Sequence, residues 1–125
     1  MVNSFAFTRT IFDAESFLEA THNQFKVVSV RSYTDKKGIL PNGYNLTLLI
    51  LKDDYDYGVD KDGNMRENNE YQNFDVTILT DKKTVKKGDI VKLLDFDSEH
   101  SYVIKYDLIL RFKDFEVLKT AKSTN

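Results

Sequence analysis

The sequence has no cysteine and no tryptophan, and only one proline, two histidines and five glycines among its 125 residues. Without cysteine there is no disulfide framework and no thiolate metal site, which fits a cytoplasmic protein. The two histidines, His22 and His100, lie far apart in unlike contexts. They offer no zinc geometry by themselves and no nucleophile–base pair, so neither an enzyme nor a cofactor is expected. His100 reads as a solvated residue of a polar turn over 97–101. Long apolar runs are absent too. The longest is Leu48-Leu49-Ile50-Leu51, far below the ~20 residues that span a bilayer. Met1 to Phe12 shows no basic stretch followed by an apolar one, so no signal peptide and no membrane association are expected. No internal repeat or low-complexity tract occurs.

What is present is a globular composition: 41% hydrophobic, 30% charged and 13% aromatic residues, on a length that suits one domain. The formal charge is −2, and it is unevenly spread. Residues 53–70 hold seven acids against Lys61 and Arg66, a net of −5, which leaves +3 on the remainder. The bulk of the chain is therefore mildly basic.

The residue pattern predicts mostly strands. Phe25–Tyr33 is rich in β-formers, and its alternation breaks where Val27 and Val28 stand side by side, which predicts a bulge or sharp coil. Asp35–Gly38 and Pro41–Gly43 are turn signals. Tyr44–Lys52 forms a second strand with Leu46, Leu48 and Ile50 on the core face and Asn45, Thr47, Leu49 and Leu51 opposite. Residues 53–70 form a long polar loop. Tyr71–Thr80 forms a third strand, with Phe74, Val76 and Ile78 inward and Asn73, Asp75 and Thr77 outward. A lysine-rich connector over 81–88 leads to a fourth strand, Ile90–Phe96. Tyr102–Val117 carries the last strand or two, with Leu108 and Leu110 inside and Arg111 outside. Ahead of all this, Phe5 and Phe7 permit a short strand, and Asp13 is placed to N-cap a helix from about Ala14 to Ala20. Such an extension suits either of two roles: closing a barrel's open end or pairing with a second subunit. The division is thus 1–24 extension, 25–118 barrel and 119–125 disordered tail. Five or six strands joined by Gly, Asn and Asp turns favour a closed barrel, because closure removes exposed edges.

The segments KVVSVRSYTDKKG (26–38), NLTLLIL (45–51), FDVTIL (74–79), KKGDIVKL (86–93) and LILRFKDFEVL (108–118) resemble the strand succession of OB-fold domains over about residues 25–118. The fold expected is a mostly β, five-stranded OB-type barrel with a short N-terminal strand and helix. Stand-alone OB proteins of this size look like the single-stranded DNA-binding proteins carried by phages and conjugative plasmids of Gram-positive bacteria. The Lys, Asn, Asp and Tyr usage suits an AT-rich genome of that kind. This resemblance implies binding of single-stranded DNA with little sequence preference, in replication or transfer of a mobile element. Other replication or transfer proteins would be partners, and a homo-oligomer, a dimer, is expected. The long Gly/Pro-rich linker and acidic tail of cellular single-strand binding proteins are missing here.

In such a barrel the binding surface is the outside of the second and third strands, flanked by the first–second and fourth–fifth strand loops. Aromatic rings stack bases there and cations meet phosphates. Strand parity and loop position nominate Arg31, Tyr33, Lys36, Lys37, Tyr71, Tyr102 and Lys105. Lys82, Lys83, Lys86 and Lys87 form a second basic cluster, of the kind that more often lines a solvated loop. The run Asp60–Asn64 has the flavour of a calcium loop. With Gly63 at position six, however, Gly58 and Asn69 occupy the two positions that need carboxylates. The rival function is a protein-interaction module without nucleic acid, using Leu49, Leu51 and the N-terminal phenylalanines; the outward Asp75 favours it.

Overall fold

A computed structural model describes residues 12–59, 61–64, 68–104 and 107–121. The expected Phe5–Phe7 strand and Lys105 lie outside these residues. The chain begins with helix α1 (Ala14–Ala20) and continues through β1 (Phe25–Tyr33), β2 (Gly43–Ile50), β3 (Asn73–Ile78), β4 (Ile90–Phe96), the short hairpin β5 (Tyr102–Ile104) and β6 (Asp107–Ile109), and β7 (Arg111–Lys119). Strands β1-β2-β3-β7-β4 form a closed barrel, with β3 and β7 parallel. This is the OB-type arrangement. The ring closes where β1 pairs antiparallel with β4, Phe25 opposite Val91 and Lys26 opposite Ile90. Just ahead of β4, Val27 N–H donates to the Asp89 carbonyl, and Gly88 N–H to that of Val27. Gly88 makes this approach at φ +94, a region that disfavours side chains.

The β1–β2 register slips between Val27 and Ser29, at the site where apolar residues crowd. The slip lets Val27 and Val30 both face inward, opposite Leu48 and Leu46. The core is Phe25, Val27, Leu46, Leu48, Ile50, Val76, Ile78, Val91, Leu93, Leu110, Phe112 and Phe115, joined by Val85 from the β3–β4 connector. Leu108 was expected inside with Leu110, but it is 44% exposed. It sits on a three-residue strand that leaves the barrel, so its two-residue spacing from Leu110 crosses a break between elements. β7 also runs through Lys119, whose partner is Ile90, so regular pairing continues into the segment read as a tail.

Helix α1 has only seven residues, too few to be stable without tertiary contacts. Asp13 caps it by accepting from Ser16 N–H, and the Ser16 hydroxyl donates back to Asp13 at 2.7 Å. Phe17 then stacks on Phe25 at 5.8 Å and meets Phe74 edge-on at 5.3 Å, while Phe12 packs on Phe96. Of the two roles open to the extension, α1 performs the first: it closes one end of the barrel. At the opposite end Tyr44 meets Phe115 edge-on, and its hydroxyl donates to the Lys83 carbonyl. Asn23 extends the β1–β4 seam with its side chain, donating to the carbonyl of Leu93 and accepting from its N–H, both at 2.8 Å.

Candidate functional site

Residues paired across neighbouring strands point to the same side of a sheet. The register therefore stacks the outward side chains of β1, β2, β3 and β7 into rows about 7 Å apart. Lys26, Leu49 and Asn73 form one row; Ser29, Thr47 and Asp75 the next. Arg31, Asn45, Thr77 and Arg111 form the third, and Tyr33 stands opposite Gly43 in the fourth. Hydrogen bonds tie the middle rows. The Thr47 hydroxyl donates to Asp75 at 2.7 Å, and the Thr77 hydroxyl to Asn45 at 2.7 Å. Gly43 is obligatory here, since a Cβ on it would lie 1.7 Å from the Ile78 carbonyl oxygen.

Two loops flank this face. The β1–β2 loop is organised by Asp35, whose carboxylate accepts from the N–H groups of Leu40, Ile39 and Lys37. The Leu40 bond is the chief cause holding the Asp35 carboxyl below its ordinary value, against the effect of burial; Lys37, Ile39 and the Arg111 charge act in the same direction. Lys36 and Lys37 are exposed on the loop so formed. The second flank is the β5–β6 hairpin between β4 and β7. Asp97 anchors its base, accepting from His100 N–H and meeting His100 Nδ1 at 2.7 Å. His100 is therefore a half-buried structural residue and not the solvated one expected. Arg111 donates to the His100 carbonyl and lies under the Tyr102 ring. Between hairpin and barrel runs a groove of about 80 Å³, whose lining includes Arg31, Asn45, Asp75, Thr77 and Leu108.

The structure gathers Arg31, Tyr33, Lys36 and Lys37 on one side of the face and Tyr102 on the other. Tyr71 does not join them. Parity placed it outward on β3, but the strand starts at Asn73, and Tyr71 sits before it at φ +65, with its N–H on the Ile50 carbonyl. It is 71% exposed at the far end of the rows from Tyr33. Lys83 of the second basic cluster is committed elsewhere, to Asp114 at 2.9 Å and to the Phe115 carbonyl. Lys82, Lys86 and Lys87 remain exposed. Sequence reasoning missed Asn45, Thr77 and Arg111 as site residues. All three were assigned outward, and outward parity combined with a β3–β7 pairing would have found them.

Described residues on both sides of the loop that follows β2 are pinned by specific hydrogen bonds. Asp53 is buried and accepts from the N–H groups of Tyr55 and Asn69 and from the Tyr57 hydroxyl at 2.5 Å. Asp54 is tied to α1 through His22 and through its own N–H on the Ala20 carbonyl. These contacts lie at the α1 end of the barrel, away from Tyr33. Among the described residues, Asp97, Glu99 and His100 are the one trio of acid and imidazole groups close enough to share an ion. Asp97 is already engaged there as the N-cap of the 3-10 turn Ser98–His100 that leads into the hairpin.

No protein-family model, no curated protein and no solved structure matches the chain. Among the described residues, no helix is long and apolar enough to cross a membrane.

Proposed function

We propose that the chain binds single-stranded DNA, holding bases on the outer face of β1–β2–β3 and phosphates on the flanking lysines. The reading rests on one observation. The row Arg31–Asn45–Thr77–Arg111 crosses the barrel between a lysine-bearing loop and a hairpin that carries an exposed tyrosine. Arginine and amide groups on a firm sheet supply donors for phosphate and base edges. Tyr33 and Tyr102 supply rings whose stacking tolerates any base. The replication or transfer of a mobile element is the setting that the sequence resemblance favours.

The test is fluorescence anisotropy of labelled mixed-sequence oligonucleotides of several lengths, at low and moderate salt. Affinity should rise with length up to the site size. It should also fall with salt, with a log–log slope of about −0.7 per phosphate contacted. Absence of binding even at low salt would overturn the reading and favour the protein-interaction module, to which an outward carboxylate at Asp75 is better suited.

A further inference from the structure

We infer that the Asp75 carboxylate makes the groove beside the β5–β6 hairpin selective for bases with an exocyclic amino group, cytosine over thymine above all. This deepens the single-strand reading and rests on it.

Asp75 is exposed in the centre of the outward rows. One of its oxygens takes the Thr47 hydroxyl, and it forms no ion pair with a lysine or arginine among the described residues. A carboxylate without a cation repels phosphate, so the strand's backbone cannot run over this point. A base edge that offers donors can. The groove, at about 80 Å³, is too small for a whole base and large enough for an edge.

Its chemistry is directional. A carboxylate only accepts hydrogen bonds, and guanidinium only donates. Asn45 uses its oxygen on the Thr77 hydroxyl, so its NH₂ is the group left to donate. The groove therefore sets one acceptor, Asp75, beside two donors, Asn45 and Arg31. Cytosine presents the complement: an N4 amino donor beside the N3 and O2 acceptors. Carboxylate acceptance from cytosine N4 is an established pairing. Thymine places its O4 oxygen where cytosine has the amino group, which sets two acceptors against each other. The two pyrimidines stack alike and have nearly the same size, so their difference isolates this contact.

The experiment measures affinity of the intact protein for oligo-dC, oligo-dT and a mixed-sequence strand of equal length, with the wild type and with Asp75→Asn and Asp75→Ala. The Asn variant keeps an oxygen for Thr47 and turns an acceptor into a donor. The readout is the dC/dT ratio, which a uniform electrostatic gain from losing the charge does not change. The wild type should favour dC by about tenfold, within the range for one good base contact. Asp75→Asn should remove or invert that preference, and Asp75→Ala should abolish it. Equal binding of dC and dT by the wild type, or a ratio unchanged in both variants, overturns the inference while leaving single-strand binding intact. Failure of all three strands to bind overturns the single-strand reading itself, and the inference with it.

Discussion

The Arg111 guanidinium lies 5.9 Å from the centroid of the Tyr102 ring and donates to the His100 carbonyl. One side chain thus fastens the β5–β6 hairpin to the first residue of β7. It also holds in place the tyrosine that flanks the proposed face. Arg111→Ala removes a cation–π contact and a charge-assisted hydrogen bond, together about 2 kcal/mol. Urea unfolding should report that destabilisation. Amide exchange at Val103 and Leu108 should quicken, and oligonucleotide affinity should drop. Arg111→Lys should rescue little, because an ammonium lacks the planar fork that reaches both partners.

Gly43→Ala should be among the most damaging substitutions in the chain. The new methyl would lie 1.7 Å from the Ile78 carbonyl oxygen and 2.9 Å from Thr80 N, and both obstacles are backbone. Relief requires parting β2 from β3. The expected cost exceeds about 3 kcal/mol by denaturant titration. A stability within about 1 kcal/mol of wild type would show that the barrel yields at this seam.

Much of the barrel was legible because its signals are local. Phe25–Tyr33 and Ile90–Phe96 carry enough β-formers between turn residues to mark their own ends, and the Val27–Val28 pair announced the bulge. Asp13 likewise marked the start of α1. The misses share a different cause. Tyr71 was placed by counting along a strand, but a positive φ stops the count before β3 begins. Leu108 belongs to a three-residue strand, too short for alternation to carry meaning. The face itself depends on which strands are neighbours. Thr77 and Arg111 are 34 residues apart and become partners only through the parallel β3–β7 pairing. Asp53 looked like one more acid in a polar segment, and only the fold shows it buried under three donors.

The two lysines of the β1–β2 loop give an electrostatic prediction. Lys36→Ala and Lys37→Ala together should weaken binding similarly for all sequences. The salt dependence should become shallower by about 1.4 in log–log slope, or about 0.7 for each phosphate that no longer meets a lysine. The same changes at Lys82 and Lys87, on the β3–β4 connector, should leave the slope near its wild-type value. A larger effect at the connector would relocate the phosphate path.

The Asp53–Tyr57 hydrogen bond predicts behaviour at both extremes of pH. Burial, then the bond to Asp53 and its charge, push the Tyr57 hydroxyl up to about 12 from 10.0. A raised value means that its contribution to stability is complete below pH 10 and disappears as pH climbs through about 12. Absorbance titration in the near ultraviolet should show a late tyrosine phase near that pH, missing in Tyr57→Phe. For Asp53, burial raises the carboxyl, but the bonds from Tyr57, Asn69 and Tyr55 outweigh it and hold it below 3.8. Its contribution is present above pH 3.8 and disappears as pH falls through the lowered value. Asp53→Asn should flatten that part of the acid limb.

The most direct test of the account is to map where DNA touches the protein. Amide and side-chain NMR signals would be followed while a short mixed-sequence oligonucleotide is added at low salt. The account predicts the largest shifts at Arg31, Tyr33, Asn45, Thr77, Tyr102 and Arg111, with Tyr55, Tyr57 and α1 unmoved. Shifts centred on the α1 end of the barrel, or none at saturating oligonucleotide, would contradict it.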